Sequence, residues 1–353
     1  MKILALNLPQ FHEIEENNEW WGKGFTEWTN VRKAKPLYKG HNQPMVPLEG
    51  YYDLSNVDAV AHQHELAKKY GIYGFVYFHY WYEGRMMLEK PCEILLSHKE
   101  INANYCFCWA NHSWTRSWDG KENQVLLEQT YGGKEDWKHH IDYLIEFFKD
   151  ERYIKENNKP MLVIYNSSAI PNVNSMFNYW EEEVKKHGFD GLYLVEYIST
   201  KCTKPYITCS QAVYEDEPLF TLRFQTNVMQ KIYRLFCKKN KITEYQDFDS
   251  IYKMLLQKKQ TYGGREIIQG CFPAWDNSPR RGNKGAMVVK GANPVKFKRY
   301  LEILLQCTRK DVSNKYMIIN AWNEWGEGAI LEPSTLFGYQ YLEIISELTK
   351  RNG

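Results

Sequence analysis

The chain has 353 residues, of which 43% are hydrophobic and 25% are charged, a balance typical of a globular protein with a sizeable core. Its 45 Lys and Arg residues nearly cancel its 43 Asp and Glu residues, so the formal charge of +2 provides no global field to attract nucleic acid. The sequence contains no apolar stretch long enough to span a bilayer, which argues against an integral membrane segment.

Predicted strands alternate with predicted helices along the chain. Each strand is a short apolar run, many of them rich in β-branched or aromatic residues. The predicted strands are Lys2–Leu8, Ile72–Trp81, Asn104–Trp109, Met161–Tyr165, Leu192–Val195, Gln211–Tyr214, Ile267–Phe272 and Tyr316–Ile319. The predicted helices between and after them are Ser55–Tyr70, Glu89–Lys99, Lys134–Lys149, Ser175–His187, Pro294–Cys307 and Gly338–Thr349.

This alternation predicts an α/β fold with a parallel sheet that helices cover. Eight strand–helix units in one chain predict a closed (β/α)8 TIM barrel. An open doubly wound sheet is the alternative, but the glycine-rich turn that such folds carry after the first strand is missing at residues 7–10. We expect one domain over residues 1–353, with a basic and mostly helical insertion over about 220–262 after strand six.

A long polar and aromatic segment, residues 10–56, follows the first strand. Loops of this length are usually either functional or disordered. Disordered segments are poor in aromatic residues, whereas this one contains Trp20, Trp21, Phe25 and Trp28. We therefore predict a folded, functional loop, and include Trp20, Trp21 and Glu27 among the candidate substrate-binding residues.

Polar and aromatic residues also follow five of the predicted strands, at the end where TIM barrels hold their active sites. Any one of them has a simple packing explanation, but their repetition at corresponding strand ends favours a site. The candidates are His79, Tyr80 and Trp81 after strand two; Asn111, His112 and Trp114 after strand three; Glu196 after strand five; Trp275 and Asp276 after strand seven; and Asn323, Glu324 and Glu327 after strand eight.

Carboxylates combined with aromatic rings, without a phosphate-binding loop, are the composition of a carbohydrate site. Glycosidic cleavage needs one acid to protonate the leaving oxygen and a second carboxylate on the other side of the sugar ring. Glu324 and Glu327 lie three residues apart around Gly326, so we predict that they form this pair. A minority alternative makes one of them catalytic and the other a loop-positioning residue. We expect Glu332 to be structural or to bind a hydroxyl group.

Other chemistries find less support. His62 and His64 lie two residues apart on a predicted helix, so they point to different faces and do not form a zinc motif. Asp247 and Asp249 resemble the Asp-x-Asp metal motif of nucleotide-sugar transferases, but they fall within the basic insertion. We predict no metal and no organic cofactor. The apolar run at residues 1–6 is too short for a signal peptide, and eight Cys without an export signal favour a cytoplasmic location.

Four motifs together resemble the WbsX-type proteins of bacterial O-antigen and capsule clusters, which are labelled glycosyltransferases. They are NLPQFHEIEENNEWWGKGFTEWTNV, FVYFHYWY, CWANHSWTRSWDG and NAWNEWGEGAILEP. The resemblance covers essentially the whole chain. That family in turn resembles the family ninety-nine glycoside hydrolases, which are retaining (β/α)8 endo-α-mannosidases with an E-x-x-E pair after strand eight.

The resemblance implies specific roles for the pair. Glu324 would be the base toward the sugar 2-hydroxyl, giving a 1,2-anhydro intermediate, and Glu327 would be the acid and base on the glycosidic oxygen. We therefore expect an enzyme acting on an oligosaccharide or polysaccharide through an α-glycosidic bond, in surface-polysaccharide metabolism. The alternatives are a glycosyltransferase of lipopolysaccharide biosynthesis and a non-catalytic glycan-binding barrel.

Overall fold

The computed structural model describes residues 1–116, 121–257, 260–308 and 315–350, and its central feature is a closed barrel of parallel strands. All eight predicted strands are present, which confirms the (β/α)8 TIM barrel. In chain order they are β1 (Lys2–Asn7), β2 (Gly74–Tyr82), β3 (Tyr105–Trp109), β4 (Lys159–Ile164), β5 (Tyr193–Ile198), β6 (Ala212–Glu215), β7 (Glu266–Cys271) and β8 (Tyr316–Ile319).

The pairing order closes the sheet on itself. Each strand from β1 to β7 pairs in parallel with the next along the chain, and β8 pairs in parallel with β1. The closing register places Leu4 beside both Gly74 and Ile318. Because all strands run the same way, their carboxyl ends meet at one rim of the barrel.

Helices cover the outside of the barrel and also contribute to its mouth. They are α1 (Glu15–Trp21), α2 (Glu27–Lys33), α3 (Val57–Lys69), α4 (Lys90–Ser97), α5 (Lys134–Phe148), α6 (Val173–Lys186), α7 (Leu219–Phe224), α8 (Val228–Asn240), α9 (Phe248–Gln257), α10 (Ser278–Arg281), α11 (Pro294–Thr308) and α12 (Gln340–Lys350). α3 begins two residues after the predicted start at Ser55, because Asn56 is its N-cap and accepts a 2.8 Å hydrogen bond from the Asp58 backbone N–H.

The insertion after β6 combines helices with one short strand. It contains α7, α8 and α9, and the strand Glu244–Asp247 between the last two helices pairs in parallel with Met287–Lys290, which follows β7. The prediction of a mostly helical insertion is therefore confirmed, with this strand as the exception.

The long segment after β1 is folded, as its aromatic residues predicted. It contains α1 and α2. The ring of Trp28, on α2, packs against the rings of Phe11 and Trp325 at centroid distances of 4.4 and 5.7 Å. This contact fixes the loop onto the segment that follows β8. The loop is thereby part of the barrel mouth.

None of the helices within the described ranges is both long enough and apolar enough to cross a membrane. The eight cysteines have free thiols. Cys106 and Cys108 are buried on β3, and burial raises the pKa of both thiols. They serve as packing residues of the strand.

Candidate active site

One largely buried guanidinium joins three carboxylates at the carboxyl end of the barrel. Arg280 donates from Nη1 to Glu327 Oε1 at 2.6 Å, from Nη2 to Glu324 Oε2 at 2.9 Å and from Nε to Glu27 Oε1 at 2.9 Å. Because a guanidinium is planar with its donors in a fixed fork, these bonds hold the carboxylates in a fixed arrangement around it. We refer to these four residues as the Arg280 cluster.

Three separate parts of the chain supply the Arg280 cluster. Glu27 is the first residue of α2, where the helix dipole favours a negative charge. Arg280 lies on the short helix α10 that follows β7. Glu324 and Glu327 follow β8, and the latter ends a 3-10 turn that begins at Trp325. The cluster therefore links the first, seventh and eighth strand–helix units of the barrel at its mouth.

Gly326 makes this close approach possible. A Cβ added at this residue would lie 1.9 Å from Glu27 Oε1 and 2.7 Å from Arg280 Nε. A residue with any side chain would collide with the ion pair. The glycine is thus required because no space is left for a side chain.

The charges in the cluster do not balance, since one cation faces three acids. Burial, together with the neighbouring Glu327 and Glu27 carboxylates, raises the pKa of Glu324 to about 8, against the opposing effect of Arg280. The three carboxylates in turn raise the pKa of Arg280 despite its burial, so the guanidinium stays charged. The cluster accordingly retains a proton near neutral pH.

A cavity of about 450 Å³ opens beside the Arg280 cluster. Its wall combines carboxylates, cations and aromatic rings, and its size suits one or a few sugar rings. Seven of the predicted site residues line it: Trp21, Tyr80, His112, Trp114, Trp275, Glu324 and Glu327.

Two of the remaining predicted residues support the cavity from behind. The ring of Trp20 packs against that of Trp114 at a centroid distance of 5.6 Å, outside the lining. Glu27 is fully buried and reaches the site through Arg280. Both residues shape the cavity wall.

His112 is the lining residue best suited to neutral hydrogen bonding. Burial lowers its pKa to about 3, with a smaller contribution from Lys201, so the imidazole is uncharged at neutral pH. Its ring lies 5.2 Å from the ring of Tyr165, which also lines the cavity. A neutral imidazole both donates and accepts hydrogen bonds, as a sugar hydroxyl does.

The structure corrects the expectation for His79 and Trp81. Side chains alternate along a strand, so these two face the helix layer while Phe78 and Tyr80 face the cavity. The His79 and His140 Nε2 atoms are 2.9 Å apart, and the Trp81 ring stacks on His140 at 4.5 Å. Both residues pack β2 against α5.

Asn111 and Glu196 are also placed outside the cavity, where they fix loops. Asn111 exchanges hydrogen bonds with the backbone of Asn166, through Oδ1 at 2.8 Å and Nδ2 at 2.8 Å. The Glu196 carboxylate accepts from Ser167, Ser210 and the backbone N–H of Tyr206, at 2.5, 2.6 and 2.6 Å. Since these bonds satisfy both side chains, we revise their role to structural support.

Asp276 and Asn323 are anchors of the same kind. Burial alone would raise the pKa of Asp276, but hydrogen bonds from His41, Gln43 and Ser278 lower it. Its backbone N–H also donates to the carbonyl of Glu327 at 2.6 Å. Asn323 exchanges hydrogen bonds with the backbone of Leu8, at 2.7 and 2.9 Å, and so ties the end of β8 to β1.

Glu332 lies beneath the site in a network of hydrogen bonds. Its carboxyl group accepts from Tyr52 at 2.8 Å, from Gln63 at 2.9 Å and from the Trp325 indole at 2.6 Å. Burial raises its pKa to about 8. This position agrees with the structural role expected from the sequence.

The sequence reasoning missed Arg280 and Asp216. Arg280 stands in the run SPRRGNKG, whose composition is that of a solvated basic loop. Asp216 lines the cavity, and burial with the nearby Glu327 and Glu217 charges raises its pKa to about 8 against hydrogen bonds from Tyr197 and Asn320. It stands between two other acids, Glu215 and Glu217, and no local feature of the sequence distinguishes it from them.

The alternative metal motif is engaged in other contacts. Asp249 pairs with Lys296 and accepts a 2.7 Å hydrogen bond from the Tyr300 hydroxyl, while Asp247 accepts from the Ser250 backbone N–H at 2.8 Å. Within the described ranges, no group of three or more His, Cys, Asp or Glu side chains is arranged to hold a metal ion.

Comparison with known families then identifies the chain's relatives. The family model "Glycosyltransferase WbsX" matches residues 3–345. The chain belongs to the WbsX family. Two WxcX proteins from strains of Xanthomonas campestris pv. campestris are 30% identical to this WbsX chain over 99% of its length. The chain spans about half the length of these curated relatives, covering 50% of each. WbsX proteins are a family of glycan-active enzymes.

Solved structures with the same fold include glycoside hydrolases. A "glycoside hydrolase-like protein" superposes with a TM-score of 0.63 at 15% identity, over 98% of the WbsX chain and 93% of its own. The GH99 endo-α-mannosidase from Bacteroides thetaiotaomicron superposes with a TM-score of 0.58 at 13% identity, over 99% and 96%. At these identities, the likeness establishes the shared TIM barrel fold.

Proposed function

We propose that this WbsX chain makes or breaks an α-glycosidic bond with retention of configuration, using Glu324 and Glu327 as its catalytic pair. The observation that carries the proposal is the bridging of both carboxylates by Arg280 at the wall of an aromatic cavity. The single guanidinium that bonds to both carboxylates keeps them close to each other. Retaining glycosidases in general need such closeness, because their two carboxyl groups act from roughly 5 Å apart.

The roles follow from the resemblance to the endo-α-mannosidases. Glu324 removes the proton of the 2-hydroxyl group, whose oxygen attacks the anomeric carbon, while Glu327 donates a proton to the departing glycosidic oxygen. The resulting 1,2-anhydro sugar is then opened by water or by an acceptor hydroxyl. Glu327 removes the proton of that nucleophile, and Glu324 returns its proton to O2. The pair thus ends with the proton inventory with which it began.

The cavity lining supports a sugar as the substrate. Trp114, Trp275 and Tyr80 offer flat rings for the apolar faces of a sugar, and the neutral His112 offers hydrogen bonds to hydroxyl groups. Asp216 adds a protonated carboxyl group on the β6 side of the cavity. We propose an α-mannoside as the substrate because its 2-hydroxyl can be placed for the internal attack.

The same pair serves hydrolysis and transfer, which differ only in the nucleophile that opens the intermediate. The glycosyltransferase label of the family supports transfer, and the carboxylate pair supports a hydrolase-like site. Surface-polysaccharide metabolism and a cytoplasmic location remain part of the proposal, as does the treatment of residues 1–353 as one domain.

Product analysis tests this proposal. The chain is incubated with α-mannosidic oligosaccharides alone, and separately with a nucleotide-sugar donor and an acceptor glycan, and products are identified by mass spectrometry and NMR. We expect products that retain the anomeric configuration of the substrate. We also expect that EDTA does not change the rate of turnover. An inverted product, or activity abolished by EDTA, would contradict the mechanism, and the latter result would favour the Asp247 and Asp249 alternative. Binding of the glycans without any product would favour a non-catalytic barrel.

A further inference from the structure

Helix α8 presents an apolar face to solvent. Val228, Met229 and Leu235 are 71%, 72% and 66% exposed, and Ile232 and Phe236 between them are also more than half exposed. These five residues fall on one side of the helix, because residues three, four, seven and eight apart share a face. Among the described residues, half of the large apolar side chains that are exposed lie between 228 and 242.

The opposite side of α8 fixes the helix to the barrel. Cys237 is buried, and Arg234 donates to Glu244 Oε1 at 2.9 Å and to the carbonyl of Leu222. The first turn is closed by a capping box, in which Asn227 and Gln230 exchange hydrogen bonds between side chains and backbone. The exposed apolar face is therefore held outward by contacts on the other side.

Positive charge surrounds this face. Residues 219–243 contain six Lys or Arg and no Asp or Glu. Lys231 and Lys238 are exposed and lie one heptad apart, so both flank the same edge of the apolar face, and Lys239 and Lys241 lie at the end of the helix. A helix that combines an apolar face with basic flanks is the pattern of a helix lying in a membrane interface.

We propose that α8 docks this protein on an anionic lipid surface. Its apolar residues would enter the boundary between headgroups and acyl chains, and its lysines would contact the lipid phosphates. A second copy of the chain fits this face less well, because a two-fold contact would bring the flanking lysines of both copies together. The proposal does not depend on the catalytic roles of Glu324 and Glu327.

The position of α8 would place a docked membrane close to the cavity. The preceding helix α7 begins at Leu219, which lines the cavity, and only three residues separate α7 from α8. A membrane-bound α8 would bring one wall of the cavity near the headgroups. A glycan carried on a lipid would then reach the cavity without leaving the membrane surface.

Vesicle flotation tests the proposal. The chain is mixed with vesicles of phosphatidylcholine alone and with vesicles that contain 30% phosphatidylglycerol, at low and high salt. We expect binding to the anionic vesicles that falls as salt screens the phosphates. The triple variant Ile232→Ser, Leu235→Ser and Phe236→Ser should bind at least tenfold more weakly. Lys231→Gln with Lys238→Gln should weaken binding to anionic vesicles and reduce its dependence on salt.

A matched control comes from another exposed apolar residue. Val295 on α11 is 79% exposed, and Val295→Ser should leave vesicle binding unchanged. Circular dichroism checks that each variant is folded, which is expected because the altered side chains face solvent. Absence of binding to anionic vesicles, or equal binding by the triple variant, would overturn the proposal. So would a dimer that the triple variant dissociates, since the face would then be occupied by a second copy.

Discussion

Arg280 supplies the positive charge that faces the three carboxylates of its cluster. Its three hydrogen bonds reach both proposed catalytic carboxylates and Glu27, whose side chain is fully buried. A buried carboxylate that loses its partner keeps the cost of its desolvation without the compensating attraction. The residue therefore contributes both to stability and to the position of the catalytic pair.

Replacing Arg280 by Met should lower the free energy of unfolding by about 3–5 kcal/mol, because three acids are left without their shared cation. Turnover should also fall, since the bridge between Glu324 and Glu327 is lost. Urea unfolding at pH 7 measures the first effect. Arg85→Met is the matched control: the Arg85 side chain, which pairs with Glu16, is 51% exposed, so a loss of at most about 1 kcal/mol is expected. Equal losses in the two variants would contradict this account.

The raised pKa of Glu324 predicts a pH dependence of activity. The active form of the pair holds one proton, because Glu327 must donate it while Glu324 is ionised. The raised pKa of about 8 means that the free pair loses this last proton near pH 8. The value of kcat/KM, which reports the ionisation of the free enzyme, should therefore be constant just below pH 8 and fall by about tenfold for each pH unit above it. A kcat/KM that keeps rising above pH 8 would contradict this account.

At the scale of single elements, the strands were predictable and the phase of their side chains was not. Buried parallel strands leave short, mostly apolar runs, and several of the eight strands are nearly continuous in apolar character. In such a run both faces are apolar, so the sequence does not reveal which alternate residues face the cavity. This is why the predicted site residue Tyr80 lines the cavity, whereas the predicted site residues His79 and Trp81 lie outside it.

The turn that carries the catalytic pair predicts a steric effect. Gly326→Ala would place a Cβ 1.9 Å from Glu27 Oε1, so the Arg280 cluster must shift. We expect a loss of about 1–3 kcal/mol in unfolding free energy, with a fall in turnover. Gly133→Ala is the control, because a Cβ there meets no atom within 4 Å. Thermal unfolding compares the two variants. An unfolding free energy that Gly326→Ala leaves unchanged would contradict the close packing around this glycine.

At the scale of the whole molecule, the mouth of the barrel depends on contacts between distant parts of the chain. Trp21 and Glu27 come from the loop after β1, Arg280 follows β7 and Glu327 follows β8. The motifs predicted which segments meet at this rim, because parallel strands place their carboxyl ends together. They did not predict the salt bridges of Arg280, since a basic residue in a polar loop has no local sign of burial.

Half of the length of the WxcX relatives lies outside the region matched by this chain. The barrel nevertheless contains the complete Arg280 cluster and the cavity beside it. We therefore expect the catalytic pair to act within residues 1–353. The apolar face of α8 provides a separate contact with the surroundings of the protein.

The most direct measurement compares three Glu→Gln variants of the segment after β8 on an α-mannosidic oligosaccharide that the wild type turns over. Glu324→Gln and Glu327→Gln should each lower kcat by about 10²–10⁴-fold, because each removes one proton transfer. Glu332→Gln, buried outside the cavity, should retain kcat within a few fold when folded. Wild-type turnover by Glu327→Gln would contradict the assignment of the catalytic pair.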